Sequence, residues 1–432
     1  LGKAVIAIVG RPNVGKSTLF NRIARERLAI VEDSPGVTRD RLYTSAQWLE
    51  REFWLIDTGG LTDGQDRIQA QIRKQVQIAV AEADSLIMVV DGREPLTASD
   101  YQVAELLRRT KKPVTLAVNK TENFQKPLDP EVYTLGLGEP IRISAEHALN
   151  IGDLLEVALE KTPEEEEAAV DRIRVTLVGR PNVGKSSLIN AILGEERVIV
   201  TDLPGTTRDA IDTPVTIDGT NYLLVDTAGL RRQSRVETAV EYYSVVRALR
   251  AVDRSDVVVL VLDATEQIAD QDLKIAGIIK EAGKACLILV NKWDLVAKDS
   301  KTATIFETQI RDELKFINFA PVLFVSAKTG QRLTKIAATI NQVMRNYLSR
   351  IGAGRLNQVI ADAMLMHNPP THKGRVFKIF YATQIKVKPP TILLIVNNPD
   401  GLGDSYRRYL ENKLREQFDL SGTPLKFQLK AK

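Results

Sequence analysis

The chain has 432 residues, 44% hydrophobic and 26% charged, a globular balance that excludes a largely disordered or collagen-like polypeptide. At roughly 100–200 residues per domain, about two to four domains are expected. The net charge of +4 is unevenly spread: residues 351–432 hold 13 Lys+Arg against 6 Asp+Glu, so the rest of the chain is slightly acidic and the basic C-terminal part points to a polyanionic partner.

In chain order, apolar runs at 4–9, 53–56, 86–90 and 114–118 read as buried strands, with helical patterns at 17–24 and 98–109. Residues 160–169 follow, a proline and four consecutive glutamates within them, and such a stretch reads as an extended linker. Strand-like runs resume at 174–178, 222–225, 257–262 and 286–290. Strand–helix alternation of this kind implies α/β domains, each a mainly parallel sheet with helices on both faces. A second boundary falls at Ile351-Gly352-Ala353-Gly354. Beyond it a helix at 356–366, strands at 377–387 and 391–397, a basic amphipathic helix at 406–418 and a strand at 424–429 form a small α+β module. The expected domains are 1–160, an acidic linker 161–172, 173–350 and 351–432. No apolar run approaches the ~18–20 residues of a membrane span, and no signal-peptide pattern opens the sequence. The single cysteine, Cys286, lies in a strand-like run, so a buried thiol, no disulfide partner and a cytoplasmic location are expected.

The first two domains are copies of one another. GRPNVGKS occupies 10–17 and again 179–186, an offset of 169 that persists from Pro35-Gly36-Val37-Thr38-Arg39-Asp40 to Pro204-Gly205-Thr206-Thr207-Arg208-Asp209 and from Asp57-Thr58-Gly59-Gly60 to Asp226-Thr227-Ala228-Gly229. The offset grows to 172 at Asn119-Lys120 and Asn291-Lys292 and to 182 at Ser144-Ala145 and Ser326-Ala327, as loop insertions in the second copy require.

GRPNVGKS fits G-x-x-x-x-G-K-[ST] after a strand, a loop whose backbone N–H groups close on phosphate oxygens. This places Gly10, Arg11, Pro12, Asn13, Val14, Gly15, Lys16, Ser17 and Thr18 in one nucleotide site, and Gly179, Arg180, Pro181, Asn182, Val183, Gly184, Lys185, Ser186 and Ser187 in the other. Lys16 and Lys185 reach the terminal phosphates. The hydroxyls of Ser17, Thr38, Ser186 and Thr207, with the carboxylates of Asp57 and Asp226 read as strand ends, suit Mg²⁺. Thr58, Gly59, Thr227 and Ala228 join the GTP-binding residues, and the N–H of Gly60 or Gly229 can contact the γ-phosphate, so Lys16, Thr38, Gly60, Lys185, Thr207 and Gly229 are the candidate catalytic groups. The base is read by Asn291, Lys292 and Asp294 with Ser326, Ala327 and Lys328. A carboxylate at the fourth position of Asn-Lys-x-Asp accepts guanine N1–H and the exocyclic amine, donors that adenine lacks. The first copy has Asn119, Lys120, Ser144 and Ala145, with Glu122 in the aspartate's place. A metabolic phosphotransferase could use the same phosphate loop but would not need two base-selective motifs. A passive RNA-binding protein would not keep Lys16, Lys185, Asp57 and Asp226.

With GRPNVGKS, PG-x-TRD, DT-x-G and NK-x-[DE] all in duplicate, the chain resembles the tandem-GTPase Der (EngA) family of bacterial ribosome-assembly factors along essentially its whole length. The segments Tyr381-Ala382-Thr383-Gln384, Val387-Lys388-Pro389-Pro390 and Asn397-Asn398-Pro399 are similar to that family's KH-like domain, though no GXXG loop is present. The resemblance implies GTP hydrolysis to GDP, a switch between nucleotide states, and a role in assembly of the large (50S) ribosomal subunit with its rRNA as partner. A monomer is expected. Leu61 and Leu230 stand where Ras-like enzymes carry a water-orienting glutamine, and Asn13 and Asn182 resemble those of potassium-stimulated relatives, so K⁺ is implied beside Mg²⁺. On the basic C-terminal helix Arg407, Arg408, Lys413 and Arg415 are candidate RNA contacts, with Arg408 and Arg415 two turns apart on one face. His147, His367 and His372 show no metal-ligand spacing, and zinc is not expected.

Overall fold

The computed structural model describes residues 3–26, 43–49, 51–57, 76–77, 79–80, 83–123, 125, 127–162, 172–194, 198–200, 212–226, 241–297, 299–372 and 374–432. Thr38, Thr58, Gly59, Gly60, Leu61, Thr207, Thr227, Ala228, Gly229, Leu230 and most of the acidic linker lie outside these residues. The chain forms two compact units, Leu1–Ala168 and Ala169–Lys432.

In the first unit β1 (Ala4–Val9) runs into α1 (Lys16–Glu26), followed by β2 (Tyr43–Trp48), β3 (Arg51–Asp57), β4 (Ser85–Asp91), α2 (Ala98–Arg108), β5 (Val114–Asn119), β6 (Ile141–Arg142) and α3 (Ile151–Glu160). The sheet order is β2-β3-β1-β4-β5-β6, parallel except for the antiparallel β2–β3 pair. Strand β1 is buried at every position, which is why it reads as a continuous apolar run rather than an alternating one. Ile6, Ile8, Leu55, Ile87 and Val89 form one core with Leu19, Phe20 and Ile23 of α1 and Leu154, Leu155 and Ala158 of α3. Polar β2 pairs only with β3, and its Tyr-Thr-Ser-Ala-Gln-Trp composition gives no apolar run to read.

The second unit repeats the plan with β7 (Ile173–Val178), α4 (Lys185–Leu193), β8 (Val198–Val200), β9 (Thr213–Ile217), β10 (Thr220–Leu224), α5 (Glu241–Arg254), β11 (Val257–Asp263), α6 (Asp270–Ala282), β12 (Ala285–Asn291), α7 (Thr302–Glu313), β13 (Val322–Phe324) and α8 (Thr334–Leu348). Its sheet order is β13-β12-β11-β7-β10-β9-β8, with β8, β9 and β10 joined antiparallel and the rest parallel. The C-terminal module adds α9 (Ala353–Met366), β14 (Thr371–His372), β15 (Arg375–Val376), β16 (Ile379–Lys386), β17 (Thr391–Val396), α10 (Asp404–Gln417) and β18 (Lys426–Ala431). Its sheet, ordered β16-β17-β18, buries Ala382, Ile392, Leu394 and Val396 against Leu356 and Ile360 of α9 and Tyr406, Leu410 and Leu414 of α10.

This module is fastened to the second α/β fold through backbone as well as side chains. The amide of Cys286 donates to the Gly422 carbonyl at 2.8 Å, and the amide of Gly422 donates to the Phe319 carbonyl at 2.7 Å. Gly422 has φ +74, and a Cβ there would lie 2.3 Å from Val343 Cγ2, so both the left-handed turn and the close approach require glycine. Asn346 Nδ2 donates to Asp419 Oδ1 at 2.9 Å and to the Ser421 carbonyl at 3.0 Å. Lys388 Nζ donates to buried Asp256 Oδ1 at 3.2 Å, which also accepts from Arg174 NH2 at 3.1 Å. Burial alone would raise the Asp256 carboxyl; the Arg174 hydrogen bonds and the nearby lysine instead hold it below the usual carboxylate range.

The face of the module's basic helix that carries Arg408 and Arg415 is covered at its C-terminal end, against the expectation. Arg415 does not share an open face with Arg408. Its NH2 donates to Glu411 Oε1 at 2.7 Å and to the Thr423 carbonyl at 2.9 Å, its NH1 donates to the Leu420 carbonyl at 2.9 Å, and its guanidinium lies 5.3 Å from the Phe319 ring centre. A planar guanidinium with several donors suits such a joint. Burial lowers the Arg407 pKa, and Lys413 Nζ pairs with Glu416 Oε2 at 2.7 Å. Of the four candidate RNA contacts, Arg408 is exposed and the other three are partly buried.

Candidate nucleotide sites

Both phosphate loops adopt one backbone conformation. Gly10 and Gly179 have φ +151 and +149, Asn13 and Asn182 +66 and +64, and Gly15 and Gly184 +94 each. Left-handed backbone at Asn13 and Gly15, and at Asn182 and Gly184, turns loop N–H groups toward one concavity, and α1 or α4 begins at once with the lysine, adding a helix N-terminus to it. Val14 and Val183 put their side chains into the cores and leave only backbone for a phosphate. Pro12, Asn13, Ser17, Thr18, Pro181, Asn182 and Ser187 are exposed, and Ser186 is partly so.

Lys16 Nζ donates to the Arg11 carbonyl at 2.7 Å; Lys185 Nζ donates to the Gly179 and Arg180 carbonyls at 2.7 and 2.5 Å. Burial lowers both lysines, Lys185 to about 8. The Asp57 charge partly offsets this for Lys16, and the Asp272 charge does so for Lys185. Arg11 Nε pairs with Asp100 Oδ2 at 3.1 Å and its NH2 with Glu94 Oε2 at 2.7 Å; Arg180 Nε pairs with Asp272 Oδ2 at 2.7 Å and its NH1 with Glu266 Oε2 at 3.1 Å. These arginines tie each phosphate loop to the first turn of α2 or α6.

The base loops are braced on the phosphate loops by one buried asparagine per site. Asn119 Nδ2 donates to the Val14 carbonyl at 2.9 Å, and its Oδ1 accepts from the Ala145 amide at 2.9 Å. Asn291 repeats this with the Val183 carbonyl at 2.9 Å and the Ala327 amide at 3.1 Å. Lys120 and Lys292 pair with Asp91 and Asp263 at the ends of β4 and β11. Ser326 Oγ donates to Asp294 Oδ1 at 2.6 Å, and Trp293 packs against Phe306 and Phe324. Ser144 Oγ donates to Glu122 Oε1 at 3.3 Å. Lys328 is exposed. The structure brings Lys16 near Asp57, joins Val14, Asn119 and Ala145 in the first copy, and joins Val183, Asn291 and Ala327 in the second. It also adds Asp91, Asp100, Asp263, Asp272 and Arg93, which the motifs do not name. The four aspartates recur at the offset of 172, so comparing the copies beyond the motifs would have found them.

The hard oxygen donors suit Mg²⁺ in both sites, but the two aspartates are placed differently. Asp57 ends β3 and is 5% exposed. Asp226 does not end a strand: it lies two residues beyond β10, with φ +60 and its amide donating to Asp212 Oδ1 at 3.0 Å. Among the described residues there is no cluster of three or more His, Cys, Asp or Glu side chains that could hold a metal alone, and no helix long and apolar enough to cross a membrane.

Two tandem P-loop folds, each with a phosphate loop wired to a base-reading loop, define a GTP-binding and GTP-hydrolysing protein. A family model described as "50S ribosome-binding GTPase" matches residues 5–120 and 174–292, and one described as "KH-domain-like of EngA bacterial GTPase enzymes, C-terminal" matches 350–430. GTPase Der of Caldanaerobacter subterraneus is 53% identical over 429 residues, covering 98% of each chain. GTPase Der of Desulforamulus reducens is 54% identical over 430 residues, covering 99% of this chain and 98% of the relative. The chain belongs to the GTPase Der family. Among solved structures, Era in complex with MgGDPNP and a 16S ribosomal RNA fragment matches at 19% identity with a TM-score of 0.32, over 76% of this chain and 92% of that one.

Proposed function

We propose that the chain is a GTP-driven switch in assembly of the large ribosomal subunit, with both sites loading GTP and the C-terminal module meeting rRNA. The observation that carries the reading is the repeated brace from Asn119 and Asn291 to phosphate loop and base loop, which couples base recognition to phosphate position in both copies. Lys16 and Lys185 hold positive charge at the transferring phosphoryl group, and the loop amides at the starts of α1 and α4 receive charge developing on its oxygens. Ser17 and Asp57, with Ser186 and Asp226 in the second copy, would hold Mg²⁺, which when bound neutralises phosphate charge. Asn13 and Asn182, exposed on left-handed backbone, would help hold K⁺. Thr38, Gly60, Thr207 and Gly229 complete this assignment as the γ-phosphate sensors.

For the RNA surface, Arg408 is retained, while Arg415 is reassigned to the joint with the second GTP-binding fold. The test is turnover of GTP against ATP with and without large ribosomal particles, together with particle co-sedimentation in a GTP analogue and in GDP. GTP-selective turnover and nucleotide-dependent co-sedimentation support the switch. Equal particle binding in both nucleotide states refutes it, because linkage requires that nucleotide and particle affect each other equally.

A further inference from the structure

The two base pockets differ by a coupled pair of residues. At the offset of 172, Glu122 stands for Asp294 and Arg93 for Thr265. In the second pocket the short Ser326–Asp294 bond of 2.6 Å fixes the carboxylate, and Thr265 turns inward, its amide and hydroxyl donating to Asp263 Oδ1 at 2.9 and 2.7 Å. In the first pocket the serine bond is 3.3 Å long, as the extra methylene of Glu122 would produce. Arg93 NH2 donates to the same Glu122 oxygen, Oε1, at 2.9 Å. The Arg93 amide keeps the 2.9 Å bond to Asp91 Oδ1 that matches the amide bond of Thr265, so the loop is unchanged and only the side chain is redeployed.

We propose that Arg93 is a specificity-determining positioning residue of the first site, holding the longer Glu122 carboxylate where it accepts the N1–H and exocyclic amine of guanine. This rests on the guanine-pocket reading above. A glutamate has one more rotatable bond than an aspartate, and binding a base must freeze it. A charge-assisted bond from a planar guanidinium restrains that bond in advance. A carboxylate offers about four acceptor positions, so Arg93 and Ser144 on Oε1 leave room for two donors from a base. The Arg93 hydrogen bond also keeps Glu122 ionised to lower pH than an ordinary glutamate. The side chains of Arg93 and Glu122 are 58% and 33% exposed, so dissolved ions screen the pair. Base selectivity at the first site therefore falls with ionic strength, whereas the brace of the second site is a neutral hydroxyl.

The experiment uses the full chain carrying Lys185→Ala, so that a fluorescent nucleotide reports the first site. Affinities are compared for the GDP and IDP forms, hypoxanthine lacking the exocyclic amine. Arg93→Ala should reduce the GDP-to-IDP preference by about fivefold or more. Arg93→Thr combined with Glu122→Asp, which recreates the second site's pair, should restore the preference and remove its salt dependence. An unchanged preference in Arg93→Ala, or a double variant no more selective than Arg93→Ala, overturns the role of Arg93. If Glu122→Gln also leaves the preference unchanged, the guanine-pocket reading itself fails; a loss with Glu122→Gln but not with Arg93→Ala confines the failure to the arginine.

Discussion

Replacing Asn291 by alanine tests the wiring of the second site most directly. The side chain is 2% exposed and bridges the Val183 carbonyl of the phosphate loop and the Ala327 amide of the base loop. Alanine deletes both bonds and leaves a carbonyl and an amide without that partner. Two bonds at ~1 kcal/mol each, plus part of the ~1–3 kcal/mol penalty for an unpaired buried group, give about 2–4 kcal/mol. If that cost falls on the nucleotide-bound arrangement, GDP affinity at the second site drops roughly 30- to 700-fold. Fluorescent-GDP titration of the full chain, with the first site silenced by Lys16→Ala, reads this loss. Asn119→Ala serves as the internal control, since it should damage only the first site. Asn291→Asp keeps the acceptor for Ala327 and loses the donor to Val183, so it should fall between wild type and alanine. An Asn291→Ala chain binding GDP within twofold of wild type would refute the brace as an energetic element.

Asp294→Asn should cost on the order of 1.5–3 kcal/mol in GDP affinity at the second site, because a charged acceptor is removed; an unchanged affinity in the same titration would end the assignment. Lys185, lowered to about 8 by burial, is less readily protonated folded than unfolded, so its contribution to stability rises with pH from about 8 toward the usual 10.5. GDP binding, which needs the ammonium, should run the opposite way and weaken toward alkaline pH, and calorimetry in buffers of different ionisation heat should register proton uptake on binding; a flat profile would contradict the shift. Replacing K⁺ by Na⁺ at matched ionic strength should slow phosphate release from GTP while leaving GDP binding nearly unchanged, and equal rates would remove K⁺ from the mechanism. Cys286, buried and with its thiol pushed up to about 12, should resist a thiol reagent until the second unit is unfolded by denaturant.

What could be read from sequence was what local chemistry fixes. The phosphate loops needed only their own spacing and the strands before them. Central strands such as β11 are buried at every residue and announce themselves as apolar runs. Strand β9 carries Pro214 and alternates weakly, β13 has three residues, and both are made strands by their partners rather than by their own residues. Arg93 was invisible for a related reason. Its meaning depends on parallel pairing that sets Asp91 beside Asn119 and so brings the loops after β4 and β5 together. Arg415 shows the opposite case: its place on a helix and on the face of Arg408 was readable, but not that Phe319 and the 420–423 loop cover that end of the face. Asp226 was misplaced because the Asp-Thr-x-Gly pattern is common to both copies while the strand ahead of it stops two residues short in the second.

The backbone bond between Gly422 and Cys286 makes β12 a lever. Cys286 is the second residue of that strand and Asn291 is its last. At ~3.3 Å per residue the two ends of this stiff rod are about 17 Å apart. One end is stitched to the C-terminal module, and the other carries the asparagine that sets the spacing of phosphate loop and base loop. The module and the two loops of the second site are therefore joined through a single strand. A chain cut at the glycine-containing boundary near 352 would keep every nucleotide motif and lose the backbone bond that joins the other end of β12 to the module.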